Sequence, residues 1–201
     1  MELALALRYD HENRKVRNQV PNVNGSGLNI NLPGKINPAL DSNPNGVPDR
    51  ETSFSQWQPK LTWSWRPSDD ITVFASYGVG FRSGGFNSVG TDDLLSFWFN
   101  SGFGGPGEAV DADLKVRDEY SKEVSEAFEV GLKTEWLDRR LRVNASVFRT
   151  DVEDNQFFEF FAGPFGLLRA VTTIEDIYIQ GFEADFSFVA TQSLTFYGGL
   201  G

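Results

Sequence analysis

The side chains best spaced for chemistry lie in Asp41-Ser42-Asn43-Pro44-Asn45-Gly46-Val47-Pro48-Asp49. Oxygen ligands fall there at alternate positions, with glycine sixth and a carboxylate ninth. That is how a calcium loop opens, presenting Asp41, Asn43, Asn45 and Asp49 to one hard cation. The closing bidentate glutamate belongs at Thr52, and Glu51 comes one residue early. A plain Asn/Pro/Gly turn therefore outweighs the calcium reading, and no other cofactor is expected. His11 is the one histidine and has no recognisable nucleophile elbow to serve, while the lack of cysteine removes thiol and disulfide chemistry. Glu183 and Asp185 stand two apart, but on a strand that spacing describes two wall residues of one face more simply than an acid/base pair. Gly78-Val79-Gly80 sits inside a strand pattern rather than before a helix, so it cradles no phosphate. Enzyme chemistry is not expected. Phe157, Phe158, Phe160 and Phe161 remain, a run broken only by Glu159. They could stack on a planar ligand or sugar ring, with packing between loops as the plainer use.

The elements that would position these groups read as strands. Ile71, Val73, Ala75, Tyr77, Val79 and Phe81 alternate with Thr72, Phe74, Ser76, Gly78, Gly80 and Arg82. Before them Leu61, Trp63 and Trp65 alternate with Thr62, Ser64 and Arg66, across a short turn at Pro67-Ser68-Asp69-Asp70. Period-two alternation puts one side of a strand against an apolar medium and the other against a wetter one. Each arm has about ten residues, enough for a tilted strand to cross a bilayer. The same pattern recurs in Lys122–Gln156, turning at Leu137-Asp138-Arg139-Arg140, and from near Thr172, turning at Thr191-Gln192-Ser193. Leu3, Leu5, Leu7 and Tyr9 give a first strand, after which Asp10 to about Phe54 reads as a loop. Asn87 to about Tyr120 is a second long connection, in which Thr91, followed by Asp92 and Asp93, could cap a short helix over Leu94, Leu95, Phe97, Trp98 and Phe99. Connections thus alternate long and short, as in outer-membrane barrels.

The WQPKLTWSWRPSDDITVFASYGVGFRSGGFN stretch resembles a barrel hairpin of the TonB-dependent outer-membrane receptors, whose strands often carry Y-x-x-G-F-[RK]-S-G-G-F-N. IQGFEADFSF near the end resembles another strand of that family. The resemblance implies an all-β fold: an antiparallel transmembrane β-barrel segment of about seven strands, three hairpins plus an N-terminal strand, with long extracellular loops and short periplasmic turns. Residues 1–201 are then part of a barrel of about 22 strands, without the family's N-terminal plug, its TonB box or the closing strands. Implied with it are a Gram-negative outer-membrane location, outer-membrane lipid as neighbour, the parent chain's plug and through it TonB as partners, and a small-molecule ligand. The ligand would be a scarce nutrient such as a ferric siderophore-like chelate, cobalamin or a glycan.

Parity fixes what such a barrel must do with its charges. Glu129, Lys133, Glu135, Arg142, Glu183 and Asp185 face the lumen, while Leu132, Trp136, Val143, Phe182 and Phe186 face lipid. Trp65 and Trp136, each just before a short turn, belong to the membrane interface, where indole is favoured. Net charge is −10 with a pI near 4.6, which argues against nucleic acid. Mean hydropathy of −0.33 suits a wall that averages an apolar and a polar face. No secretory leader is recognisable after Met1, so one is expected upstream. Two other classes compete: another outer-membrane barrel, porin-like or enzymatic, and a secreted acidic β-sandwich binding glycan or calcium.

Overall fold

A computed structural model describes residues 1–17, 49–87, 91–95, 116–163 and 166–201. The chain runs β1 (Glu2–Val16), β2 (Arg50–Ser68), β3 (Ile71–Arg82), β4 (Gly85–Phe86), α1 (Thr91–Leu95), β5 (Glu119–Tyr120), β6 (Glu123–Trp136), β7 (Leu141–Glu153), β8 (Asn155–Gly163), β9 (Gly166–Ile174), β10 (Ile177–Thr191) and β11 (Leu194–Leu200). Seven of these strands form one antiparallel sheet in the order β1-β2-β3-β6-β7-β10-β11. Two small ladders, β4–β5 and β8–β9, lie within the connections. The seven-strand meander expected from alternation is present, as three hairpins and a leading strand.

Register carries the alternation from strand to strand. On one face Leu61 pairs with Tyr77, Tyr77 with Phe128, Val73 with Leu132, Val130 with Val147 and Val147 with Phe182. Among the described residues no second layer covers that face: Leu5 is 76 % exposed, Leu7 65 %, Val147 51 % and Phe182 48 %. A water-soluble sandwich would bury such a face against another sheet. Lipid is the medium that can cover it here.

The other face has its own device. Phe74 pairs with Gly131 and Phe148 with Gly181, and each ring lies where the glycine's Cβ would stand. A flat aromatic over a bare glycine fills the pleat without projecting from the wall.

Three boundaries differ from the alternation reading. β1 does not stop at Tyr9 but runs to Val16, and β2 starts at Arg50 rather than after Phe54. Ladder hydrogen bonds need no apolar side chain, so pairing continues past the apolar stretch, with Lys15–Glu51 at 2.9 Å and Asn13 donating to Glu51 at 2.7 Å. Pro59 is tolerated inside β2 because the described ladder to β3 reaches only Lys60, while β1 pairs throughout. Thr172 opens no hairpin. It lies in β9, and the connection holding the phenylalanine run is itself the β8–β9 hairpin, closed by Gly163 opposite Gly166.

Candidate functional site

The six charges singled out by parity share one face. Lys133 stands opposite Asn144, which faces Asp185 across the next ladder and donates to its Oδ2 at 2.9 Å. Glu135 stands opposite Arg142 and accepts from its Nε at 2.9 Å, with Arg139 at 3.4 Å. Gly131, Ser146 and Glu183 form another row, and Glu129, Phe148 and Gly181 the next. The Lys133 ammonium lies 5.3 Å from the Phe74 ring centroid. Together Phe74, Glu129, Lys133, Asn144, Glu183 and Asp185 edge a shallow concavity of about 360 Å³. Leu132, Trp136, Val143, Phe182 and Phe186 fall on the opposite face. Trp65 and Trp136 are half exposed beside the two turns they precede.

At the other end of the strands the described parts of the connections bond to one another. Each polar or glycine residue of Ser83-Gly84-Gly85-Phe86-Asn87 has a visible task. The Ser83 hydroxyl donates to Glu12 at 2.9 Å and accepts from Arg14 at 2.5 Å. That hydroxyl first, and the Arg14 guanidinium second, hold the Glu12 carboxyl below its ordinary range. A Cβ on Gly84 would strike the Tyr120 carbonyl and the Phe54 ring, and one on Gly85 the Tyr120 hydroxyl. Asn87 is buried and bonded to both Arg117 and Val171. Lys122 reaches across to β2, donating to the Ser55 carbonyl at 2.8 Å and to Gln56 Oε1 at 2.7 Å. Beneath these bonds Leu95, Val116, Phe161 and Ala170 form a small apolar cluster.

The phenylalanine run divides between two uses. Phe161 is in that buried cluster, so it packs rather than presents itself. Phe157, Phe158 and Phe160 are 51 %, 45 % and 62 % exposed. Phe158 and Phe160 share one face of the hairpin with Arg169, whose guanidinium lies 4.5 Å from the Phe158 ring centroid. Of the tentative calcium set only Asp49 is among the described residues. It is exposed, 4.0 Å from Arg17, while Asp41, Asn43 and Asn45 lie outside them. Among the described residues no group of three metal-ligating side chains converges.

The sequence model of the TonB-dependent receptor-like β-barrel matches residues 2–201. This chain belongs to that family. Barrels of TonB-dependent receptors reside in the outer membrane of Gram-negative bacteria, and that is where this chain is placed. Among solved structures, the copper transporter OprC is 18 % identical with a TM-score of 0.54, over 98 % of this chain and 26 % of that one. The hemophore receptor HasR of Serratia marcescens, as a double mutant with its hemophore HasA and heme, is 12 % identical with a TM-score of 0.46, over 94 % and 28 %. The ferric-catecholate import receptor Fiu of E. coli K12 is 20 % identical with a TM-score of 0.42, over 73 % and 18 %. The chain thus spans about a quarter of the solved receptor it matches at TM-score 0.54, and that likeness is one of fold.

Sequence reasoning about the receptor barrel missed the polar pins of its connections: Asn87, Lys122 and Gln156. Asn87 closes the very stretch that carries the family resemblance, but nothing local says where its amide is bonded. Its partner Val171 is 84 residues away.

Proposed function

We propose that this chain is a wall segment of a TonB-coupled uptake receptor. The observation that carries the reading is the sorting of side chains by the seven-strand register. One face holds Leu132, Val143, Val147, Phe182 and Phe186, and the other holds Glu129, Lys133, Glu135, Arg142, Glu183 and Asp185. In this reading the first face meets lipid. The second lines the lumen, against water and the parent chain's plug, which couples to TonB. A cation on the lipid face would cost about 2–4 kcal/mol at the bilayer midplane, so only one orientation is tenable. Trp65 and Trp136 then sit in the interfacial layer on the side of the short turns.

The long connections stand outside the cell, and ligand capture falls to the β8–β9 hairpin through Phe158, Phe160 and Arg169. An exposed aromatic pair with a guanidinium over one ring suits a planar or ring-bearing nutrient, such as a chelate with aromatic arms or a sugar. The reading is of transport rather than catalysis.

Cysteine scanning tests it, because the chain has no cysteine of its own. In the receptor in its membrane, Leu132→Cys and Phe182→Cys should resist a polar thiol reagent and accept a lipid-soluble one. Lys133→Cys and Glu183→Cys should do the reverse. Equal labelling of neighbouring positions by the polar reagent would remove the lipid-facing side and the proposal with it.

A further inference from the structure

Two buried amides tie the outer connections to each other. Asn87 is 7 % exposed and follows β4. Its main-chain N–H donates to the Asp118 carbonyl at 2.9 Å. Its Nδ2 donates to the carbonyls of Arg117 at 2.7 Å and Val171 at 2.8 Å, and its Oδ1 accepts the Val171 N–H at 2.7 Å. One side chain thus gives and takes a bond with a single β9 residue, as a neighbouring strand would. Gln156, 8 % exposed near the start of β8, donates through Nε2 to the carbonyls of Ser83 at 2.9 Å and Ser121 at 3.0 Å. Its N–H donates to Glu123 Oε2 at 2.8 Å.

Among the described residues Asn155, at the start of β8, adds a bond to Glu123 Oε2 at 3.3 Å. The hairpin's apolar footing is the cluster of Leu95, Val116, Phe161, Ala170 and Leu168. Its covalent attachments are Asp154, which adopts a left-handed φ of 54°, and the unpaired step Glu175-Asp176 before β10. Short non-strand segments at both ends of an element are where it can swing. The Asn87 amide, with both donors and its acceptor engaged, admits one arrangement only, and Gln156 commits both of its donors, whereas a small apolar contact can slide.

We propose that Asn87 and Gln156 are positioning residues that lock the β8–β9 hairpin to the β3–β6 connection, so that the two move as one body. Their bearing on uptake rests on the reading that Phe158 and Phe160 meet ligand. The lock itself can be measured with no ligand present, so each idea can fail alone.

The experiment is hydrogen exchange by mass spectrometry on the receptor in lipid nanodiscs, comparing wild type with Asn87→Ala, Asn87→Asp, Gln156→Ala and Gln156→Glu. Unchanged exchange in β6 and β7 shows that a variant has folded. In Asn87→Ala, exchange across 168–173 should accelerate at least about tenfold, and 116–121 should accelerate with it. Gln156→Ala should loosen 119–123 and 155–158 together. Asn87→Asp keeps the side chain's shape and the acceptor for the Val171 N–H, but sets a carboxylate oxygen against the Arg117 and Val171 carbonyls where two donors stood. Both segments should therefore open at least as far as in Asn87→Ala although no packing volume is lost, an outcome that mere loss of packing would not produce. Acceleration confined to one of the two segments, or Asn87→Asp exchanging like wild type, would overturn the proposal.

Discussion

Gly131→Ala tests whether the charged wall is as closely fitted as its geometry indicates. A Cβ at Gly131 would stand 2.5 Å from Phe74 Cε1 and 2.9 Å from the Ala145 carbonyl oxygen. Ordinary contact begins near 3.4 Å, so the ring must retreat by close to an ångström, and the carbonyl is backbone that cannot rotate away. Overpacking of this kind costs about 1–3 kcal/mol. Displacing the ring also disturbs the Lys133 ammonium above it, worth about 0.5–1 kcal/mol at an exposed site. We therefore expect Gly131→Ala to destabilise the receptor by about 1–3 kcal/mol in urea unfolding from lipid. Gly78→Ala is the control: its Cβ would meet only Lys60 Cγ, at 3.8 Å, an ordinary contact. Removing a strand glycine there should be neutral or stabilise by up to about 1 kcal/mol. In a Phe74→Ala background the penalty of Gly131→Ala should shrink to what the Ala145 carbonyl imposes, a coupling of about 1 kcal/mol or more. If Gly131→Ala and Gly78→Ala behave alike, or if the two penalties at 74 and 131 simply add, the ring-over-glycine account is wrong.

Two further outcomes are expected. Glu12 has a carboxyl held below its ordinary 4.5 by the Ser83 hydroxyl and then Arg14, so its bonds stabilise the fold above that value and are lost as pH falls through the lowered one. Proteolysis of the outer ends of β1 and β2 should therefore accelerate on acidification below about pH 4.5, and Glu12→Gln should be cleaved faster at neutral pH and lose part of the pH dependence, the rest belonging to Glu51, whose carboxyl Lys15 and then Asn13 also hold low. In the β6–β7 turn Leu137 has a φ of 55° and is 61 % exposed, so a β-carbon sits in the left-handed region with little burial to offset it. Leu137→Gly should raise the unfolding midpoint, by up to about 1 kcal/mol, and a lower midpoint would refute the strain.

Much of the wall was legible because its signal is local. Parity along a strand decides which face a side chain takes, and in the β6–β7–β10 ladders it puts Glu129, Lys133, Glu135, Arg142, Glu183 and Asp185 on one face, while Glu126, Arg149 and Asp151 share the apolar face towards its outer end. The short turns, two of them with aspartates, were equally plain. The described helix, Thr91–Leu95, takes in the residue read as its cap, and Phe97, Trp98 and Phe99 lie outside the described residues.

What the sequence left open depended on partners far along the chain. Nothing in Asp10–Val16 announces a strand, since its side chains are polar on both faces. The backbone pairs there because Arg50–Gln56 runs alongside to complete the ladder. The run at Phe157–Phe161 looked uniform, yet Phe161 turns to Leu95, Val116 and Ala170 while Phe158 and Phe160 stay outside. Strand parity allowed that division, and only the packing of the hairpin on the β3–β6 connection chose which side went in. Asn87 and Gln156 make the same point in polar form. A primary amide near a turn can bond in many directions, and the approach of carbonyls 30 to 84 residues away selected these. The sequence by itself determined the sheet and its two media, because alternation acts between neighbours. How the connections close over that sheet was decided by tertiary structure, because buried polar groups must be satisfied by whatever the fold brings to them.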